Sequence, residues 1–277
     1  MIQKSSNMSL SVMLRTPNQI YLAPSPLLRG YVAHYTISFA NNSMGPENLT
    51  LIPDASGCAI FSYDGSIFTS MLWGATTKTV IVKNDVNEYA FRLFIEFLPG
   101  GLFRFTKLPQ AELTDRQIPL ADIDNQLHSQ IAEAFERATD LRQFIAQLDS
   151  ILLSMISNKP KRTLPPAMLS ALDTITRHKG CLSLKDLASS EYYSSKQLNR
   201  LFNDYLGTSV KKFSTIFRIN HVLQQMKEGR HTSLDIAQNA DFYDQAHFIH
   251  SFKAFCGTTP QKYTESMSTF YNEPFKF

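Results

Sequence analysis

Apolar positions along this chain follow two different periods, and the changes between them divide the molecule. From residue 20 to 122 the pattern is strand-like. In Tyr89-Ala90-Phe91-Arg92-Leu93-Phe94-Ile95-Glu96-Phe97 the odd-numbered residues fall on one face at period two. Ala33–Phe39, Leu49–Ile52, Cys58–Tyr63, Met71–Trp73 and Thr79–Val82 read as shorter strands. Turn-rich pieces such as Asp64-Gly65 and Lys83-Asn84-Asp85 separate them. Short strands at this spacing predict an antiparallel barrel or sandwich. From 123 to 157 the period lengthens to three or four, through Leu127, Ile131, Ala134 and Phe135, then Leu141, Phe144, Ile145, Leu148, Leu152 and Met155. Two amphipathic helices are expected, broken near Thr139-Asp140. Their stripes can pack on the barrel of the same chain or on a second subunit. A homodimer through this half would use Leu141, Phe144, Leu148 and Leu152.

The segment Asn158-Lys159-Pro160-Lys161-Arg162-Thr163-Leu164-Pro165-Pro166 carries three prolines in nine residues and opposes continuous helix. We therefore expect a domain over 1–157, a linker over 158–166 and a second domain over 167–277. Beyond the linker the pattern is helical and repeats. Ser183-Leu184-Lys185-Asp186-Leu187-Ala188 resembles Ser233-Leu234-Asp235-Ile236-Ala237, and Gly207-Thr208-Ser209 matches Gly257-Thr258-Thr259. Each copy reads as a short helix, a turn, a second helix and a glycine stop. Ser183 with Asp186, and Thr232 with Asp235, form capping-box-like starts. Ser194 and Asp244 are placed to cap the second helices. Two short helices with Ala188 or Ala237 near the crossing describe a helix-turn-helix. Val210–Lys227 reads as one helix between the copies, ~27 Å long at ~1.5 Å per residue. One turn of DNA is ~34 Å, so the two second helices can reach successive major grooves on one face.

Composition narrows the classes. The chain has 277 residues, 43% hydrophobic and 18% charged, which excludes wholesale disorder. No apolar run approaches the ~18–20 residues of a membrane span. The N-terminus lacks a secretory pattern, and Cys58, Cys181 and Cys256 stand far apart with no C-x-x-C. A reducing cytoplasm, no disulfide framework and no membrane partner are expected. The net charge is only +3, but residues 1–164 balance 14 basic against 14 acidic side chains. The excess therefore lies in residues 165–277, with five of the seven histidines. That permits a phosphate-binding face without requiring one.

Residues of about 180–265 resemble the DNA-binding domain of the AraC/XylS family of bacterial transcription regulators. The resemblance rests on Leu187-Ala188, Ser194, Leu198, Arg200, Leu201, Phe202, Gly207 and Arg218-Ile219, then Ile236-Ala237, Phe242, Gln245, Phe248, Phe252, Gly257, Pro260 and Tyr263. It covers about a third of the chain. In that family the second helix of each motif reads bases. The first recognition helix then offers Ser195, Lys196, Gln197, Asn199 and Arg200, and the second offers Gln245, Ala246, His247, Ile249 and His250. Arginine can grip guanine, asparagine or glutamine adenine, and small apolar side chains the thymine methyl. Tyr192 and Asp241 stand where the family has glycine, so a reshaped first turn is expected. His250 replaces a usual arginine, and a neutral histidine brings no cation to DNA.

The N-terminal half is similar to an uncharacterised domain found before such motifs. The carrying residues are Tyr21-Leu22-Ala23-Pro24, Leu28, Tyr31-Val32, Pro53-Asp54, Phe97-Leu98-Pro99-Gly100-Gly101 and Glu112-Leu113-Thr114-Asp115-Arg116. The resemblances together imply an α+β chain: a cupin-like antiparallel barrel with helices, then an all-α domain with two helix-turn-helix motifs joined by a linker helix. They imply regulation of transcription, by activation or repression, through double-stranded DNA and RNA polymerase.

An enzyme is not expected. The first 164 residues hold only His34 and His128, too few for a usual non-haem iron or zinc site, and no cofactor is expected. Gly-x-Ser-x-Gly and P-loop patterns are absent. Pro99-Gly100-Gly101 suits a chain turn or an anion nest, and Cys58 an inert buried position. Tyr35, Phe61, Trp73, Phe94 and Phe97 are the candidates to line a pocket for an unknown small-molecule effector. The reading is a sequence-specific, ligand-responsive regulator. The alternative is a barrel-shaped binding or enzymatic module that the helix-turn-helix domain tethers to DNA.

Overall fold

Strand register decides which residues of the N-terminal half meet the helices. The computed structural model describes residues 11–16, 19–40, 47–85, 87–158, 162–228, 242 and 244–266. Its strands are β1 (Val12–Arg15), β2 (Gln19–Leu22), β3 (Val32–Ser38), β4 (Asn48–Leu51), β5 (Cys58–Tyr63), β6 (Phe68–Trp73), β7 (Val80–Lys83), β8 (Phe91–Phe97) and β9 (Gln117–Pro119). Seven form one sheet in the order β1-β2-β3-β8-β5-β6-β9, and β4 with β7 forms a separate ribbon. All pairs are antiparallel.

Because side chains alternate, the register sorts the sheet into two faces. Tyr35 lies opposite Ile95, Ile37 opposite Leu93, and Phe61 opposite Leu93 on the other side of β8. This apolar face packs on α3 (Leu120–Arg137) and α4 (Leu141–Asn158). The other face pairs His34 with Glu96, Thr36 with Phe94, and Cys58 with Glu96. It buries Gln19, Tyr21, His34, Thr36, Ser38, Ser62 and Glu96. Burying so many polar groups is costly unless they find partners. One such pair is Tyr21, whose hydroxyl donates to Gln19 Oε1 at 2.8 Å.

The expected closed barrel is corrected to an open sheet. Among the described residues β1 and β9 end the sheet without pairing to each other. β9 is three residues long and ends at Pro119, which has no donor for a further strand. β1, β2 and β9 had no clear alternation in the sequence.

A second correction concerns the apolar stripe of α4. Leu141, Phe144, Leu148 and Leu152 are 7%, 0%, 0% and 2% exposed. The chain's own sheet consumes them, so this stripe is core and offers nothing to a second subunit. Phe144 meets Phe91 and Phe135 edge-on at 5.8 and 5.6 Å. α3 bends at Asp124, which leaves helical geometry (φ −150°, ψ 79°) and accepts Leu127 N–H at 3.0 Å to cap the following segment. Tyr35 ties the layers together, its hydroxyl donating to Asp149 Oδ1 on α4 at 2.7 Å. The break between the helices falls at Thr139-Asp140 as expected.

The connection to the helical half uses α1 (Gly101–Phe105) and α2 (Gln110–Leu113). Gly100 (φ +78°) and Gly101 turn the chain where it crosses Tyr31: a Cβ on Gly101 would lie 2.0 Å from Tyr31 O. α5 (Pro166–Arg177) starts on its proline, where a missing N–H costs nothing. Residues 159–161 of the expected linker lie outside the described residues. There follow α6 (Leu184–Ser190), α7 (Ser195–Leu206), α8 (Val210–Glu228), α9 (Gln245–Cys256) and α10 (Pro260–Ser266). Their core gathers Ile175, Leu187, Leu198, Phe202, Phe213 and Phe248, among others. No helix among the described residues is long and apolar enough to cross a membrane.

Burial, then the Asp149 carboxylate, hold the Tyr35 phenol well above its ordinary range. A raised folded-state value gives stability that is present below pH ~10 and lost as pH rises beyond it. Tyr35→Phe is expected to cost ~1.5–3 kcal/mol, the worth of a hydrogen bond to a charged group. In urea melts the wild type should then lose stability above pH ~10 more steeply than the variant.

Candidate nucleic-acid interface

The second helices of the two motifs, α7 and α9, are built alike at both ends. Ser194 Oγ accepts Gln197 N–H at 3.3 Å, while Gln197 Oε1 accepts Ser194 N–H at 3.0 Å, a complete capping box for α7. Asp244 Oδ1 accepts His247 N–H at 2.6 Å and caps α9. Gly207 and Gly257 stop the helices in left-handed conformation, at φ +71° and +75°. Ser183 Oγ likewise accepts Asp186 N–H at 3.1 Å to start α6. Thr232, Asp235 and Asp241 of the second motif lie outside the described residues.

Caps and stops leave one face of each helix in solvent. Lys196, Gln197 and Arg200 of α7 are exposed, as are Gln245, Ala246, His247, Ile249 and His250 of α9. Ser195 and Asn199 are half-buried. The expected set is therefore brought to two helix faces, but not all of it is free for DNA. Asn199 Oδ1 accepts Val210 N–H at 3.0 Å and secures the start of α8. Gln197 spends its carbonyl on the cap. The Ser-x-x-Gln spacing was a readable sign of that second role. Arg200 sits 3.7 Å from Asp204, both highly exposed, a pair of little energetic weight that leaves the guanidinium available.

Arg218, in the middle of α8, holds both motifs. Its Nη2 donates to Gly180 O at 2.8 Å ahead of α6, and its guanidinium lies 5.6 Å from the Phe242 ring ahead of α9. The sequence marked Arg218 as a signature but not its work.

The first turn is not reshaped. Tyr192 takes φ +58°, the left-handed conformation that the family's glycine would supply, and stands 97% exposed. A non-glycine residue there costs roughly 1–2 kcal/mol.

The pocket candidates divide between the two faces of the sheet. Trp73 and Phe94 line a cleft between the sheet and α8; Phe61 and Phe97 line a separate hollow under α3 and α4. Tyr35 lines neither and is fixed by Asp149. Cys58 is half-buried on the cleft wall, not fully enclosed; the buried thiol is Cys256, which burial pushes up to about 12. Among the described residues no group of three His, Cys, Asp or Glu side chains could hold a metal ion.

A two-helix motif with capped ends, an exposed second helix and a linker helix toward a matching recognition helix defines a DNA-binding domain. Known proteins resemble the chain in two separate parts. Residues 187–266 match a helix-turn-helix domain, and residues 21–119 match a domain of unknown function (DUF6597). The probable transcription factor PqrA of Proteus vulgaris is 28% identical over 99 residues, 36% of this chain and 81% of that protein. The melibiose operon regulatory protein of Escherichia coli is 28% identical over 82 residues, 30% of this chain but only 27% of that protein. A transcriptional regulator from Chromobacterium violaceum with an AraC-type DNA-binding domain is 26% identical, covering 35% of this chain and 88% of that one, with a TM-score of 0.33. In residues 187–266 the chain is thus similar to the helix-turn-helix DNA-binding part of AraC-type transcription regulators.

Two substitutions test this geometry. Tyr192→Gly should raise stability by up to ~1 kcal/mol, the relieved strain less the extra chain entropy of glycine. Gly207→Ala should cost more than Gly257→Ala in a urea melt. Both force a left-handed alanine, but a Cβ at 207 would also meet Gln110 O at 2.6 Å, whereas nothing stands within 4 Å at 257.

Proposed function

We propose that this regulator works in one component. Its sheet domain senses a small-molecule effector, and its helical domain reads two successive major grooves on one face of duplex DNA. The observation that carries the reading is the pair of exposed faces on α7 and α9, spaced by the 19-residue α8. At ~1.5 Å per residue α8 spans ~28 Å, and the helix widths bring the separation near the ~34 Å of one DNA turn. Lys196 and Arg200 give α7 its cations, suited to phosphates and guanine edges. Gln245 suits adenine, while Ala246 and Ile249 suit thymine methyls. The division of the chain into a sensing part over 1–157 and a DNA-binding part over 167–277 belongs to this reading. So do a cytoplasmic location, contact with RNA polymerase and pairing with a second copy through a surface other than the α4 stripe.

The test is binding of the full chain to fragments of its own upstream region across a range of salt. Affinity should fall linearly on logarithmic axes as counterions are displaced. Arg200→Ala should relax specificity at one base pair by ~1–3 kcal/mol if it reads guanine. If it grips phosphate, all sequences should weaken equally and the slope fall by ~1. His250→Ala should cost less than Arg200→Ala near neutral pH. Absence of salt-dependent binding to any fragment, or a larger loss at His250, would contradict the reading.

A further inference from the structure

The cleft between the sheet and α8 has a chemistry of its own. Its cavity measures about 80 Å³ and opens to solvent at its mouth. Trp73, Phe94, Ile60 and Leu51 form apolar walls on the N-terminal side, and Asn220 and Leu223 come from α8. Among the described lining residues the only charged side chains are Asp54 and Glu96, both carboxylates. Glu96 is 3% exposed, with His34 opposite it in the β3–β8 register. Asp54 is half-buried, and its Oδ1 accepts Ser56 N–H at 3.0 Å.

From this lining we infer that the cleft takes a hydrophobic organic cation, an amine or ammonium carrying an apolar or aromatic body. Two carboxylates beside a low-dielectric wall attract positive charge and repel a carboxylate or phosphate. The Trp73 face adds to the preference, because its ring quadrupole favours a cation; the Phe94 ring already has the Arg92 guanidinium 5.2 Å from its centroid. The apolar body of such a ligand lies against Ile60, Leu51 and Leu223. The inference rests on the proposed effector response and names the chemical class of the effector. Its occupant touches α8 directly, through Asn220 and Leu223. Asn220 also donates to Pro53 O across the same gap at 3.4 Å. A ligand seated there therefore has different contacts when α8 is docked and when it is displaced, which is the condition for changing DNA affinity.

Trp73 is the one tryptophan of the chain and lines this cleft, so its emission reports occupancy. Full-length protein is titrated with phenylbutylamine, phenylbutanol and phenylbutyrate, which share one apolar body and differ in charge. The amine should change Trp73 emission saturably, the alcohol should bind roughly tenfold more weakly, and the acid should not saturate. Glu96→Gln should reduce amine affinity toward that of the alcohol and leave the alcohol unchanged. Asp54→Asn serves the same purpose if Glu96→Gln does not fold. Equal binding of amine and alcohol, tighter binding of the acid, or no response to any of the three overturns the cationic class. Operator affinity is measured alongside. A shift produced by the alcohol or acid instead of the amine would keep the effector response and overturn the class. Saturable amine binding with no shift would keep the cleft's preference and overturn its coupling to DNA.

Discussion

Gly207 closes the contact on which the arrangement of the two halves depends. It ends α7 at φ +71°, and the place where a side chain would stand is taken by Thr114 Oγ1 at 2.2 Å and Gln110 O at 2.6 Å. Thr114 Oγ1 donates to Gly207 O at 2.6 Å, so α2 is fixed against the end of the first recognition helix. Phe103 meets Tyr205 edge-on at 4.7 Å beside it. The matching Gly257 has open space around its missing Cβ and is only a helix stop. One glycine thus performs two tasks, and the repeat is broken at the point where the sheet docks.

Further contacts extend this docking along the linker helix. Ala55, 1% exposed, leaves the sheet side and enters the core of the helical domain. Pro53 O accepts from Asn220, and Thr79 Oγ1 donates to Phe255 O at 2.5 Å. These ties touch the end of α7, the middle of α8 and the end of α9, away from the exposed recognition faces. The sheet domain can therefore set the positions of both recognition helices without covering what they present.

The helical half was largely legible in the sequence because its signals are local. Ser183, Ser194, Asp244, Gly207 and Gly257 each announce a helix end within a few residues, and all five do so in the fold. The central strand β8 was legible for the same reason, since Phe91, Leu93, Ile95 and Phe97 recur at period two. What escaped is non-local. β1, β2 and β9 are short and defined by their neighbours. Closure of a sheet depends on whether its two end strands meet, which no run of residues encodes. The α4 stripe showed that a partner surface was required, not that the partner was the same chain. In the candidate interface, the family resemblance offered Gln197 and Asn199 among the base-reading positions. Their carbonyl oxygens are committed to the α7 cap and the α8 start. Tyr35, Phe61, Trp73, Phe94 and Phe97 were read as candidates for one pocket, whereas Trp73 and Phe94 line the cleft, Phe61 and Phe97 line the hollow under α3 and α4, and Tyr35 lines neither; the two carboxylates of the cleft come from a loop and from the polar face of β8.

In the proposed function, α7 and α9 of one chain read the same face of DNA at a spacing set by α8. Hydroxyl-radical footprinting of the full chain on a bound fragment measures that spacing directly. Two protected patches per chain, centred about one helical turn (~10 base pairs) apart on the same face, are the predicted result. A single patch, or two patches on opposite faces of the duplex, would contradict it.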